Sequence, residues 1–148
     1  MRRRTLLAAG AAGVAAALAR RDADATPADV RQAVALIAGS ATVRDGRVHV
    51  EIAPLVENGN SVPLAVRVDS PMTADDHVKA IHVFVERNPQ PFVATFRIGP
   101  RAGRAAVSTR IRLADSQSVV ALCEASDGSF WQGSASAIVT LAACSEEI

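Results

Sequence analysis

Val62-Pro63-Leu64-Ala65-Val66-Arg67-Val68-Asp69 carries the decision about fold. Apolar Val62, Leu64, Val66 and Val68 alternate with Pro63, Ala65, Arg67 and Asp69. This period of two sets one face of a β-strand on a core and the other in water. A helix would scatter the same apolar residues to opposite sides of its axis.

The period recurs on either side. Val48, Val50 and Ile52 alternate with Arg47, His49 and Glu51; Phe92, Ala94, Phe96 and Ile98 alternate with Val93, Thr95 and Arg97; Val107, Thr109, Ile111 and Leu113 alternate with Ser108, Arg110 and Arg112. Val78 to Glu86 is apolar on both faces, as a central strand is. Ser118 to Ser126 and Ser134 to Ala143 bring the count to seven. Turn chemistry separates them at Glu57-Asn58-Gly59-Asn60, Ser70-Pro71, Asn88-Pro89, Gly99-Pro100 and Asp127-Gly128. The pattern predicts an all-β chain, a seven-stranded immunoglobulin-like β-sandwich of two antiparallel sheets, with a barrel as the alternative.

A short N-terminal helix precedes the strands. Thr26 suits an N-cap, Pro27 the first helical position, and Asp29 the positive end of the helix dipole. Val30, Ala33, Val34 and Ile37 follow helical spacing, and Gly39 can end the helix. So short a helix needs its apolar stripe docked on the body.

Residues 1–25 read differently. Arg2, Arg3 and Arg4 precede Thr5-Leu6-Leu7, then Ala8 to Ala19 is small and apolar, ending before Arg20 and Arg21. A basic start, a short apolar stretch and small residues at a cleavage point describe an export signal of twin-arginine type. Cleavage after Ala19 or after Ala25 suits the pattern. The second removes five arginines and two aspartates and leaves a mildly acidic chain. The expected organisation is residues 1–25 as signal and 26–148 as a single exported domain in the periplasm, with no membrane association after cleavage.

Composition narrows the function classes. The 148 residues are long enough for one domain with a sizeable core. With 3% aromatics and no tyrosine, that core is built of Val, Ala, Leu and Ile. A formal charge of +1 offers no electrostatic footprint for nucleic acid.

Conventional catalytic constellations are weak. His49, His77 and His82 fall on different elements without the paired spacing of a metal site. Asp75 and Asp76 read as a polar loop, and no glycine-rich loop opens a helix for phosphate. Arg110 and Arg112 share a strand face that suits an oxyanion or, more often, plain solvent. Two cysteines remain. Cys123, among Val119, Val120, Ala121 and Leu122, reads as a buried apolar residue. Cys144 follows the last strand, where a thiol can be carried outward on a tail. A Cys123–Cys144 disulfide is chemically open in an oxidising compartment but requires the tail to fold back on an interior position.

The sequence resembles a family. Glu57-Asn58-Gly59-Asn60-Ser61-Val62-Pro63, Asp69-Ser70-Pro71-Met72-Thr73-Ala74-Asp75-Asp76 and Lys79-Ala80-Ile81-His82 are similar to the sulfur-oxidation carrier SoxY. So are Ala94-Thr95-Phe96, Val107-Ser108-Thr109-Arg110-Ile111-Arg112-Leu113-Ala114 and Ser126-Asp127-Gly128-Ser129-Phe130. The resemblance implies an immunoglobulin-like periplasmic subunit that pairs with a SoxZ-like subunit as a heterodimer. It implies that thiosulfate-derived sulfur is bound covalently on Cys144 and presented to the Sox-system enzymes, with no turnover by the carrier and no cofactor. The family tail Gly-Gly-Cys-Gly-Gly is here Ala142-Ala143-Cys144-Ser145-Glu146-Glu147-Ile148. Alanine restricts an arm that glycine leaves free, and Glu146 and Glu147 raise the thiol pKa. The alternative is a SoxY-like binding subunit without thiosulfate carrier activity. A stand-alone thiol enzyme would need a base beside the cysteine, which no local motif supplies.

Overall fold

The computed structural model describes residues 24–141. The expected signal, up to residue 23, and the Cys144 tail from residue 142 lie outside the described residues. Helix α1 spans Pro27–Ala38. Nine strands follow: β1 Val43–Asp45, β2 Val48–Ile52, β3 Leu55–Val56, β4 Val62–Val68, β5 Val78–Val85, β6 Phe92–Arg97, β7 Ala105–Ile111, β8 Gln117–Ala125 and β9 Phe130–Val139. A 3₁₀ turn at Pro100–Ala102 joins β6 to β7.

Two sheets form the immunoglobulin-like sandwich. The larger runs β1-β9-β8-β5-β6 with β3 also on β9, and the smaller runs β2-β4-β7. Between them lies a branched aliphatic core that includes Val62, Leu64, Val66, Ile81, Val83, Val85, Leu113 and Val119. The alternation that opened the reading is realised in β4, where Val62, Leu64, Val66 and Val68 are buried and Pro63 and Arg67 are exposed.

The strand count corrects the expected seven. β1 and β3 were not anticipated, being three and two residues long, too short for a period to register. They also correct the expectation of wholly antiparallel sheets. Both pair parallel to β9, Val43–Asp45 against Phe130–Gln132 and Leu55–Val56 against Ile138–Val139, while the other pairings are antiparallel. β2 lies between them in sequence. It leaves the edge of β9 to pair with β4 in the other sheet, and the chain then returns. The last strand begins at Phe130, four residues before the expected Ser134.

A bulge in β6 corrects one face assignment. Val83 pairs with Ala94 but Phe84 with Phe92, so Val93 is the extra residue. Phe92 therefore packs edge-on against Phe84 on the outer face, with ring centroids 5.9 Å apart. Val93 and Phe96 pack on the inner core.

The helix explains why β5 and β8 are apolar on both faces. Val30, Val34 and Ala38 cover Phe84, Leu122 and Phe130 on the outer face of the large sheet. Each buried valine contributes on the order of 1.5 kcal/mol or more. The start of α1 is fixed by a capping box. The Thr26 hydroxyl accepts from the Asp29 amide at 3.3 Å, and the Asp29 carboxylate accepts from the Thr26 amide at 2.7 Å. At its far end Gly39 takes φ 60, a left-handed conformation that suits glycine.

Candidate functional site

Of the two cysteines, the structure describes Cys123. Cys123 sits on β8 between its register partners Ile81 and Trp131, facing the core, and is 1% exposed. Burial pushes its thiol up to about 11, against a small opposing effect from Arg47. At neutral pH the thiolate, the form that reacts, is therefore disfavoured. Cys123 is a core residue, as its neighbours suggested. Cys144 lies outside the described residues, three positions beyond Leu141.

The chain leading to Cys144 is held at its root. Beyond β9, the Thr140 amide donates to the Val56 carbonyl at 3.0 Å, and the Gly59 amide donates to the Leu141 carbonyl at 2.8 Å. The Gly59 carbonyl in turn accepts from the Leu113 amide at 2.9 Å. On the other flank the Ser116 hydroxyl accepts from the Val139 amide at 2.8 Å. The loop itself is set by Asn58, whose side-chain oxygen accepts from the Asn60 amide at 2.9 Å. Glu57-Asn58-Gly59-Asn60, legible as a turn, thus serves as the clamp on the last strand. Nothing in the sequence indicated that pairing, which joins residues 82 positions apart.

The root is also apolar at its surface. Leu55, Ile138 and Leu141 are 60%, 61% and 59% exposed, and Leu55 is the register partner of Ile138. The sequence pattern places Ile138 and Leu141 in the expected last strand but gives no strand signal at Leu55. Only the register brings Leu55 beside Ile138.

The remaining candidates stay apart. His49 Nε2 meets Asp69 Oδ2 at 2.7 Å on the exposed face of the small sheet, and Arg67 reaches the other oxygen at 2.8 Å. Both neighbours hold the Asp69 carboxyl below its usual range, the histidine bond more strongly. His77 bonds through Nδ1 to the Thr73 carbonyl at 3.1 Å. Asp76 closes the same loop, its amide donating to the Thr73 hydroxyl at 3.0 Å. His82 is 7% exposed, shares a proton with Thr95 Oγ1 at 2.8 Å through Nδ1, and places Nε2 3.9 Å from Glu124. Burial pushes its pKa down, more strongly than Glu124 pulls it up. Among the described residues no group of three His, Cys, Asp or Glu side chains is arranged to hold a metal. Arg112 is exposed, and Arg110 reaches only Ser61, 3.3 Å from its hydroxyl. A groove of about 630 Å³ runs beside α1, lined by Val30, Val34, Val43 and Val120; neither Cys123 nor the root of the tail lines it.

Comparison with known proteins follows the same lines. The family model described as "Sulfur oxidation protein SoxY" matches residues 33–144. Among solved structures, the sulfur carrier protein SoxY from Chlorobium limicola f thiosulfatophilum superposes with a TM-score of 0.66 at 26% identity, covering 78% of this chain and 100% of that one. A putative superoxide reductase from Thermotoga maritima gives 0.55 at 21% identity, covering 67% and 93%. The superoxide reductase (neelaredoxin) from Ignicoccus hospitalis gives 0.55 at 16%, covering 78% and 94%. At such identities the two reductases share the fold alone. No curated protein matches the chain. The family match spans most of the sandwich, from within α1 to Cys144, and on that ground the chain belongs to the SoxY family of sulfur oxidation proteins.

Proposed function

We propose that this chain is an exported sulfur carrier subunit that binds thiosulfate-derived sulfur covalently on Cys144 and presents it to partner enzymes. The observation that carries this reading is the burial of Cys123. Cys123 is sealed in the core with its pKa near 11, so Cys144 is the thiol left for chemistry. The family match extends to that residue. The clamped end of β9 supplies a firm base from which three residues reach about 10 Å.

The chemistry requires a partner. Joining the Cys144 sulfur to the sulfane sulfur of thiosulfate forms an S–S bond and releases the thiol proton and two electrons. An oxidising enzyme of the same system takes those electrons, and later enzymes remove sulfate and oxidise the remaining sulfur. The carrier contributes the thiol and its delivery. A SoxZ-like subunit completes the unit as a heterodimer. It docks on surface other than the second apolar face of β5 and β8, which α1 already covers.

Export through the twin-arginine route to the periplasm belongs to the same reading. Ala25 is buried and its amide donates to the Asn88 carbonyl at 2.9 Å, which favours cleavage after Ala19 over cleavage after Ala25.

Intact-mass measurement of the protein purified from thiosulfate-grown native cells tests the proposal. Adducts of sulfur or thiosulfonate mass on wild type, lost in Cys144→Ser, support it. An unmodified wild-type protein, made together with its partners, supports the binding-subunit alternative instead.

A further inference from the structure

The short tail has a geometric consequence for whatever acts on it. Three residues separate Leu141 from Cys144, a reach of about 10 Å when fully extended. An enzyme with a recessed active site uses that reach inside its own pocket, so its mouth must press on the root. Ile138 lies three residues before Leu141, about 10 Å away along an extended chain, and Leu55 is its register partner, roughly 5 Å further across. A standard interface of about 800 Å² per partner extends some 16 Å from its centre, so both leucines and the isoleucine fall within it.

The surface there is suited to contact. Leu55, Ile138 and Leu141 are three of the five large apolar side chains that stand exposed among the described residues. Beside them on the outer face of β8 and β9, Ser118 and Ser136 face each other with hydroxyls 3.0 Å apart, and Ser134 follows two residues away, with Glu86 further along the same groove. Protruding aliphatic residues are the composition of an interface core. Beyond Cys144 the chain turns acidic, at Glu146 and Glu147.

We propose that Leu55, Ile138 and Leu141, with the serine face beside them, form the docking surface for the enzyme that acts on Cys144, an inference that rests on the carrier reading above. The occupant has a stated chemistry. Its pocket mouth is apolar, to seat the aliphatic residues, and its interior carries cations, to receive an anionic adduct followed by two carboxylates.

The test compares wild type with Leu55→Glu/Ile138→Glu and, as a milder pair, Leu55→Thr/Ile138→Thr, each with its SoxZ-like subunit. Carrier-depleted extract of thiosulfate-grown native cells is reconstituted with each, and adduct on Cys144 is followed by intact mass. Both pairs should require at least about tenfold more protein for half-maximal loading, the weight of one anchor residue in an interface. Alkylation of Cys144 by iodoacetamide should stay within about twofold of wild type, showing the thiol itself unaltered. Loading equal to wild type in both pairs overturns the docking surface and leaves the carrier reading intact. Loss of the SoxZ-like subunit on size exclusion also overturns it, assigning the surface to the heterodimer. Absence of adduct on wild type overturns the carrier reading and this inference with it.

Discussion

Gly133 of β9 lies directly against the carbonyl of Val48, with no space between them for a β-carbon. The contact marks the point where β2 leaves the large sheet. The Gly46 amide holds the chain to the Gln132 carbonyl at 3.3 Å, and two residues later Val48 has begun to pair with Val68. A backbone can cross a strand this closely only over glycine.

Gly133→Ala is therefore expected to lower stability by about 1–3 kcal/mol, as overpacking does. At an open strand position the same change would stabilise, by removing chain entropy from the unfolded state. The sign of the shift in a urea midpoint separates the two cases. A midpoint equal to or above wild type would show that β2 does not cross here.

The cysteines should differ sharply in reactivity. Iodoacetamide added to the native reduced protein should label Cys144 quickly, and Cys123 only after denaturation, because burial both shields that thiol and pushes its pKa to about 11. Sulfur adducts should persist in Cys123→Ala and vanish in Cys144→Ser. Adducts surviving the loss of Cys144 would count against the tail as the attachment site.

His82 should make stability depend on pH. Its folded pKa lies below the ordinary 6.5, so the unfolded chain takes up the proton first as pH falls. The contribution of neutral His82 is present in full above pH 6.5 and declines as pH drops through 6.5 toward the folded value. Glu124 on β8 pulls the pKa up, and Arg97 on β6 pushes it down. Lys79 on β5 pairs with Glu124 at 2.9 Å. Between pH 7.5 and 5, His82→Gln should lose less of its urea midpoint than wild type does. Identical losses would remove His82 as the source.

Asn88 links three segments. Its amide nitrogen donates to the Arg112 carbonyl, and its side-chain oxygen accepts from the Ala114 amide and from Gln117 Nε2, each at 2.9 Å. Asn88→Ala strips partners from all three groups, and Gln117 is buried. The expected cost is about 1–3 kcal/mol, with faster hydrogen exchange at Ala114. Unchanged exchange there would show that water replaces the side chain without loss.

What the sequence disclosed follows physical scale. β4 and α1 were legible because alternation, an N-cap followed by proline, and an apolar stripe are local and repeat over seven to twelve residues. Cys123 was legible from its neighbours. β1 and β3 were not, since two or three residues contain no period, and their pairing with β9 spans more than eighty residues of chain. The bulge at Val93 was hidden for a related reason: every residue from Phe92 to Phe96 except Thr95 is apolar, so either face assignment satisfied the pattern. At the site, Glu57-Asn58-Gly59-Asn60 was legible as a turn, while Cys144 lies outside the described residues. That the turn grips the strand carrying the thiol depends on tertiary pairing alone.

The way β9 is bordered bears on the proposed delivery of Cys144 to another protein. Tension on Leu141 would act along the axis of β9, which is flanked over eight register pairs by β8 and at its end by β3. Hydrogen bonds in these ladders lie across the strand, so the pull loads them together in shear instead of unzipping them one after another. Under the proposed carrier role, a pull transmitted through Leu141 would therefore leave the sandwich unfrayed.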